Sequence, residues 1–168
     1  METLDAIKNR VSTRKFLPKQ IEEKDLQIIL EAGKQAPVAY NKYSDLVITV
    51  VQDKNVLNEI DRLCDEYYGA DTMIFFNAPT LIFVSSKKAK YDQEYENVAC
   101  VMENMALAAT DINVANVYLK GMTLHIEEET LANLLKLEDG IKPIAALGVG
   151  YPDGEITPKV HDIKVERI

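Results

Sequence analysis

The stretch from about Gln93 to Ile112 is the feature that most constrains how this chain of 168 residues can fold. It predicts the longest helix of the protein, because apolar residues recur on one face at helical spacing. These residues are Val98, Val101, Met102, Met105, Ala109 and Ile112, and the stripe is widened by Ala99, Cys100, Ala106 and Leu107. A helix that is apolar on nearly all sides has to be covered on several sides. We therefore expect it at the centre of the fold, either within one chain or between two.

Three short apolar runs predict buried strands, because they are too short for typical helices. The runs cover residues 46–51, 78–85 and 143–150. The first is rich in β-branched residues, and the second has Pro79 near its start, where a strand tolerates proline.

Four further helices are predicted around these strands. They are a short helix capped by Thr3 with Leu4 and Ile7 inward, one from about Glu22 toward Pro37, one from near Asp53, and one from Glu127 to Lys136. Residues 113–121 are predicted to be a connection, and the polar tail 155–168 could add an edge strand through Ile163 and Val165. Together these elements predict an α+β fold with helices around a central mixed β-sheet.

The composition predicts a single domain that covers residues 1–168, since 47% of the residues are hydrophobic and one core suffices at this length. The net charge of -8 argues against binding to nucleic acid or to an anionic membrane surface. Cys64 and Cys100 lie in apolar helical patterns, so we expect free thiols in a reducing cytoplasm. The sequence has no apolar run long enough to cross a membrane and no secretory leader at Met1, so we expect a cytoplasmic protein.

The basic segment, residues 10–16, brings three cations and two hydroxyls into an otherwise acidic chain. In an extended chain Arg10, Ser12 and Arg14 would point to one side, and Val11 and Thr13 to the other. Two guanidinium groups and one hydroxyl would then converge, which is an arrangement suited to phosphate. The spacing alone fits equally well with a solvated basic turn between two helices.

An ordered set of motifs resembles the FMN-dependent nitroreductase family. The set is Arg10-x-Ser12-x-Arg14 after a short helix, Ala36-Pro37 with Asn41, the helical residues 103–109, and Gly148 to Pro152 with Lys159. The resemblance covers nearly the whole chain. It implies a nitroreductase-like fold in which the long helix lies in the core of a homodimer and the tail crosses to the other subunit.

The resemblance also implies the residues of an FMN site. The phosphate would be held by Arg10, Val11, Ser12, Arg14 and Lys159, with His161 at a position where an arginine is usual. Asn41 would contact the polar edge of the flavin ring, and Pro37, Val38 and Ala39 of the other subunit would pack on it. Asn116, Val117, Tyr118 and Leu119 would form a loop near the reactive nitrogen of the flavin. No general acid is identified among the side chains, and no metal site is predicted.

The function implied by the resemblance is that of an FMN-dependent oxidoreductase. Such an enzyme takes a hydride from NADH or NADPH and reduces nitroaromatics, quinones or similar acceptors in alternating steps. The sequence lacks a Gly-x-Gly-x-x-Gly motif, so the nicotinamide would have to visit the flavin and leave. Departures from the family pattern at Val38, Tyr43 to Asp45, Asn113, Ala115 and His161 keep a second possibility open. This is a flavin-binding protein that stores or senses flavin without turnover.

Overall fold

The computed structural model describes residues 2–69 and 74–168, and this part of the chain forms six α-helices and four β-strands. The elements are α1 (Thr3–Asn9), α2 (Glu23–Lys34), β1 (Leu46–Val51), α3 (Lys54–Tyr68), β2 (Thr80–Lys87), α4 (Glu94–Asp111), β3 (Ala115–Leu119), α5 (Gly121–His125), α6 (Glu128–Leu134) and β4 (Ile141–Gly150). The predicted α+β class is confirmed. The short helix α5 was not predicted.

The four strands form one sheet in the order β1-β2-β4-β3. The three strand pairs are antiparallel, with Thr80 opposite Val149 and Ala115 opposite Gly150 at one end. A mixed sheet was predicted, but the parallel component is a bridge between Ser12 and Asn116 outside the named strands. The antiparallel arrangement follows from connections that return each strand beside its neighbour in the opposite direction.

Helices cover both faces of the sheet, because successive residues of a strand point to opposite sides. Ile82 and Val84 of β2 pack with α2 and α4 on one face, where Met102 is fully buried. Leu81 and Phe83 face α3, α5 and α6 on the other side. The core is therefore divided into two layers by the sheet.

The long central helix is confirmed as α4. Met102, Met105 and Ala109 have no exposed surface, whereas Ala99 and Glu103 on the outer side are exposed. Helix α2 packs closely on it through Gly33, where a Cβ atom would lie 2.7 Å from Cγ of Met105. The inner stripe of α4 thus follows the predicted pattern, and the outer side of the helix is left uncovered within one chain.

The prediction for residues 113–121 as a connection is wrong, since they contain strand β3. Val117 and Leu119 point into the core, and Tyr118 between them is 45% exposed. This alternation covers only the last three residues of a five-residue strand, and the buried Asn116 interrupts the apolar character of the strand. The strand is stabilised by pairing with β4 more than by its own composition.

The inward orientation predicted for the apolar residues of α1 is also wrong. Leu4 is 68% and Ile7 is 51% exposed, and Ala6 is the buried residue of this helix. The helix begins at Thr3 with Glu2 as its N-cap, so Thr3 is not the cap. A seven-residue helix can turn only a narrow stripe toward the α4 helix that it contacts.

Two strand predictions are corrected at the edges of the sheet. The first strand was predicted to be buried, but β1 is an edge strand and residues 46–50 keep part of their surface exposed. The tail was considered for an edge strand, but residues 153–168 form no strand, and Ile163 and Val165 are 83% and 81% exposed. Among the described residues, the tail from residue 153 onward pairs with neither edge of the sheet.

Candidate functional site

The basic segment lies across the end of the sheet where β3 begins and β4 ends. The Thr13 N–H donates to the carbonyl of Asn116 at 2.9 Å, and the Leu17 N–H donates to the carbonyl of Tyr151 at 2.9 Å. Phe16 forms a bridge with Pro152 on the same side. The segment is therefore a hydrogen-bonded extension of the sheet, which rules out the solvated turn.

A cavity of 260 Å³ lies beside the basic segment. Ser12 and Arg14 line it from the segment, and Lys159 lines it from the tail. The carboxylates of Asp153 and Glu155 also face this cavity, so they offset part of the positive charge. The structure thus brings one hydroxyl and two cations of the predicted phosphate site together.

Arg10 and His161 are not among the residues that line this cavity. Arg10 ends α1 and donates its backbone N–H to Ala6 at 2.9 Å, and its side chain is half-buried. His161 lies two residues beyond Lys159 on the exposed tail. Arg14 is held differently, because its guanidinium carbon lies 5.5 Å from the centre of the Phe76 ring.

A second cavity of 240 Å³ lies on the other side of the basic segment, lined by Val11, Thr13 and Asn116. The hydroxyl of Thr13 and Oδ1 of Asn116 are buried there without a hydrogen-bond partner. Buried polar atoms normally have partners, so these two unpaired oxygens make the wall of this cavity polar. Val11 and Thr13 line both cavities, whereas Ser12 and Arg14 line only the cavity beside Lys159.

Strand β3 presents a hydrogen-bonding edge next to the basic segment. The Nδ2 group of Asn116 donates to the carbonyl of Ala106 and to Oγ1 of Thr110, both at 3.1 Å. Val117 and Leu119 are buried in the core, so they can offer only backbone atoms to a ligand. Burial raises the pKa of Tyr118, which remains half-exposed at this edge.

The predicted ring contacts Pro37, Val38, Ala39 and Asn41 form the exit of α2. The Ala39 N–H donates to Oδ1 of Asn97 at 2.9 Å, and Val38 is buried. Tyr40 and Asn41 have φ values of 55° and 56°, in the left-handed region. The exit is thus a fixed turn that leaves Pro37 and Asn41 exposed.

The α2 exit and the basic segment lie at opposite ends of the sheet in one chain. Ala39 shares a cavity with Ser86, near the far end of β2, whereas Thr80 at the other end of β2 pairs beside Gly150. Six residues of a strand span about 20 Å. The structure therefore brings Ser12, Arg14, Asn116 and Lys159 to one end and leaves residues 37–41 at the other.

A sequence model of the nitroreductase family matches residues 7–70 and 66–151. The chain belongs to the nitroreductase family. The matched residues include the basic segment, the α2 exit, strand β3 and the end of β4, which together contain every element of the candidate site except the tail.

Relatives of this nitroreductase-family chain have similar lengths. A protein of Archaeoglobus fulgidus, assigned as NADH dehydrogenase/NAD(P)H nitroreductase, is 26% identical over 92% of this chain and 87% of its own. A nitroreductase with bound FMN from Bacteroides fragilis is 26% identical, with a TM-score of 0.85 over 100% of this chain and 97% of its own. One from Desulfitobacterium hafniense has a TM-score of 0.87 at 24% identity and covers 99% of this chain and all of its own, which supports the fold.

Sequence reasoning missed three residues of this nitroreductase-family site: Thr13, Phe76 and Asn97. Asn97 carried a signal, since it is a polar residue beside Val98 and Val101 on the apolar side of α4. Thr13 and Phe76 carried none, because their positions depend on which segments meet in the folded chain.

Residues 2–69 and 74–168 of this nitroreductase-family protein contain no group of three or more metal-ligating side chains. Within the same residues, no helix has the length and apolar character needed to span a bilayer.

Proposed function

We propose that this nitroreductase-family protein is an FMN-dependent oxidoreductase that accepts a hydride from NADH or NADPH and reduces nitroaromatics, quinones or similar acceptors in alternating steps. The observation that carries the proposal is the shared cavity of Ser12, Arg14 and Lys159. The name of the Archaeoglobus relative and the FMN bound to the Bacteroides structure support it. The proposal treats residues 1–168 as a single domain in a reducing cytoplasm, in keeping with the free thiols of Cys64 and Cys100.

The residues of the basic segment fit a phosphate group. Arg14 and Lys159 supply positive charge, Ser12 supplies a hydroxyl, and the extended backbone of Val11 holds them in line. A hydrogen bond to a charged group contributes about 1.5–3 kcal/mol. Two or three such contacts are enough to hold a dianion against repulsion from the carboxylates of Asp153 and Glu155. Arg10 and His161 would have to turn toward the same phosphate to take part.

The edge of β3 fits the rest of an extended cofactor. From Asn116 to Leu119 the strand spans about 10 Å, and it leads away from the basic segment. Because backbone groups alternate along a strand, Tyr118 presents its N–H and carbonyl to the same outer edge as Asn116. FMN supplies hydride chemistry when it is bound, and this chain supplies the orientation.

A second copy of the chain would complete the site. Since residues 37–41 lie at the far end of the sheet, Pro37, Val38, Ala39 and Asn41 of one copy would pack on the flavin held by the basic segment of the other. Exposed apolar residues support a homodimer: Leu4 and Ile7 of α1, and Val160, Ile163, Val165 and Ile168 of the tail. These residues would be covered by the partner, with the outer side of α4 in the shared core.

The second candidate function is flavin storage or sensing without turnover. Val38 favours it, because this buried residue of the α2 exit offers no hydroxyl to the flavin ring. Fewer polar contacts to the ring would leave the cofactor bound mainly through its phosphate.

Anaerobic stopped-flow mixing of the FMN-loaded protein with NADH, and separately with NADPH, tests the proposal. We expect the visible flavin band to bleach with at least one donor and to recover when a quinone is added. A flavin that stays bound and oxidised with both donors would support storage or sensing. A purified protein that takes up no added FMN would contradict both candidate functions.

A further inference from the structure

A cavity of 400 Å³ lies beside the α2 exit and is not used by the contacts described so far. Tyr40 and Lys42 form one wall, and Lys88 and Lys90 form the other. The cavity is open to solvent at Tyr40, which is 70% exposed. It therefore lies next to the residues proposed to face the flavin of the second copy.

One tyrosine with a left-handed backbone lines this cavity, and a second follows the cavity residue Lys90 in the chain. Tyr40 has a φ of 55°, and Tyr91, next to Lys90, has a φ of 62°. A bulky residue adopts this conformation only where the surrounding structure holds it, and such residues cluster at functional sites. The two tyrosines are both 70% exposed, so burial of their rings does not explain the strain.

Two buried polar side chains of α4 hold the walls in place. Oδ1 of Asn97 accepts from the Ala39 N–H at 2.9 Å beside Tyr40. Oε2 of Glu94, which has no exposed surface, accepts from the Ala89 N–H at 3.0 Å in the opposite wall. The shape of the cavity is thus fixed by the central helix.

The charges around the cavity leave two lysines available. Lys88 is paired with Asp92 and lies 3.9 Å from Oε1 of Glu94. Within the described residues, Lys42 and Lys90 form no ion pair, although the carboxylate of Asp45 also lines the cavity.

Lys90 also lies close to an aromatic ring. Its Nζ is 4.7 Å from the centre of the Tyr91 ring. The cavity thus combines exposed aromatic surface with two unpaired cations.

We propose that this cavity binds the electron acceptor and selects aromatic acceptors that carry a carboxylate or sulfonate. The ring of the acceptor packs on Tyr40, and its anionic group is held by Lys42 and Lys90. The inference rests on the proposed function, since it requires the flavin of the second copy to lie against residues 37–41.

The test uses the FMN-loaded protein and the double variant Lys42→Gln/Lys90→Gln. Binding of benzoate and of benzyl alcohol to the oxidised holoprotein is measured by calorimetry, and the chemically reduced holoprotein is mixed with para-nitrobenzoate and para-nitrobenzyl alcohol. Each pair differs mainly in the negative charge. Lys54→Gln, an exposed lysine at the start of α3, is the matched control.

We expect the double variant to lose about tenfold in benzoate affinity and in reactivity with para-nitrobenzoate, relative to the neutral compounds. The control should keep the wild-type ratios. Unchanged ratios in the double variant would overturn the inference, and so would a defect confined to reduction by NADH or NADPH.

A negative result for the lysines can be distinguished from a negative result for FMN-dependent activity. The protein could bind FMN and be reduced by nicotinamide while the double variant keeps the wild-type preference for anionic over neutral acceptors. That result would contradict only the acceptor site and would leave the proposed function in place. A protein that takes up no FMN removes both.

Discussion

Single charged residues set how strongly the cavity beside Ser12 attracts a phosphate, because cations and carboxylates both line it. Arg14, Lys15 and Lys159 line this cavity together with Asp153 and Glu155. Loss of one cation would leave equal numbers of positive and negative side chains. Arg14 is already positioned by the Phe76 ring, so it needs less ordering than Lys159 on the tail.

Replacement of Arg14 by glutamine should weaken FMN binding by about ten- to a hundredfold, since one charge-assisted contact of about 1.5–3 kcal/mol is lost. FMN titration of the apoprotein measures this effect. Lys8→Gln removes an exposed positive charge from nearby α1 and should leave the affinity unchanged. Equal affinities for wild type and Arg14→Gln would show that the cavity is not the phosphate site.

His161 should make FMN affinity depend on pH if the tail brings it to the phosphate. Only the protonated imidazole adds a positive charge to this contact, so affinity should be highest at low pH and fall as pH rises through neutrality, by at most about 1–3 kcal/mol. His161→Arg should remove this fall. The titration runs from about pH 5.5 to 8.5.

The control for His161 is the glutamine variant, because the FMN phosphate itself gains negative charge over the same pH range. Curves for wild type and His161→Gln that overlay at every pH would remove His161 from the site.

Among the elements, the end of β4 determines where the basic segment lies. At Gly150 an added Cβ atom would be 2.7 Å from Cδ of Pro79 and 3.0 Å from Cδ1 of Phe16. Because the proline ring is rigid, the end of β4 would have to shift away from Pro79, and Phe16 on the same Cβ position would have to move as well. Phe16 anchors the basic segment through its bridge to Pro152, and the phosphate cavity would shift with it.

Gly150→Ala should therefore lower stability by about 1–3 kcal/mol and also weaken FMN binding. Urea unfolding and FMN titration measure the two effects. Leu131→Ala, in the fully buried part of α6, should cost about 2–5 kcal/mol without changing FMN affinity in the folded protein. An unchanged FMN affinity in Gly150→Ala would mean that the strand end does not position the segment.

Helix α3 carries a carboxyl group that opposes folding at neutral pH. Partial burial, and then the neighbouring Asp65, raise the pKa of Asp61. A carboxyl whose pKa is raised in the folded state favours folding when protonated, so its ionisation costs stability once the pH exceeds the unfolded pKa of about 3.9. Asp61→Asn should thus stabilise the protein at neutral pH by about 0.5 kcal/mol, since most of the side chain is solvated.

The gain from Asp61→Asn should disappear as the pH falls below the ordinary aspartate range, and unfolding curves at several pH values measure it. Asp139→Asn, in an exposed loop, should show no such gain. A loss of stability in Asp61→Asn at pH 7 would contradict the sign of the effect.

The elements also show how far the sequence predicts the structure. The positions of α4, β2 and β4 were predicted from their apolar patterns, because their buried residues are apolar and follow one another regularly in the sequence. The sequence of strand β3 shows only a weak strand pattern, because the strand is stabilised mainly by its pairing with β4. The tail and α1 could not be predicted from one chain, because their apolar residues have nothing in that chain to cover them.

The candidate site was predictable to the same extent. Ser12 and Arg14 line one cavity, as expected for an extended backbone, but Val11 and Thr13 line that cavity as well as the second one. The contact of Thr13 with Asn116 and the support of Ala39 by Asn97 join residues far apart in sequence, and no local pattern specifies them.

The whole molecule has its two groups of proposed flavin contacts at opposite ends of one sheet. A chain of this shape cannot close both groups around one cofactor without bending the sheet. In the proposed homodimer, each group of one copy would lie against the other group of its partner, and the exposed apolar residues of α1 and the tail would be covered. FMN that touches both copies would then stabilise the dimer by mass action.

Sedimentation velocity of the FMN-loaded protein, followed by flavin and by protein absorbance together, tests this joint binding most directly. We expect bound FMN to sediment with a species of twice 18.9 kDa, at one FMN per chain, and removal of FMN to weaken the dimer. FMN that travels tightly bound with a single chain of 18.9 kDa would contradict this expectation.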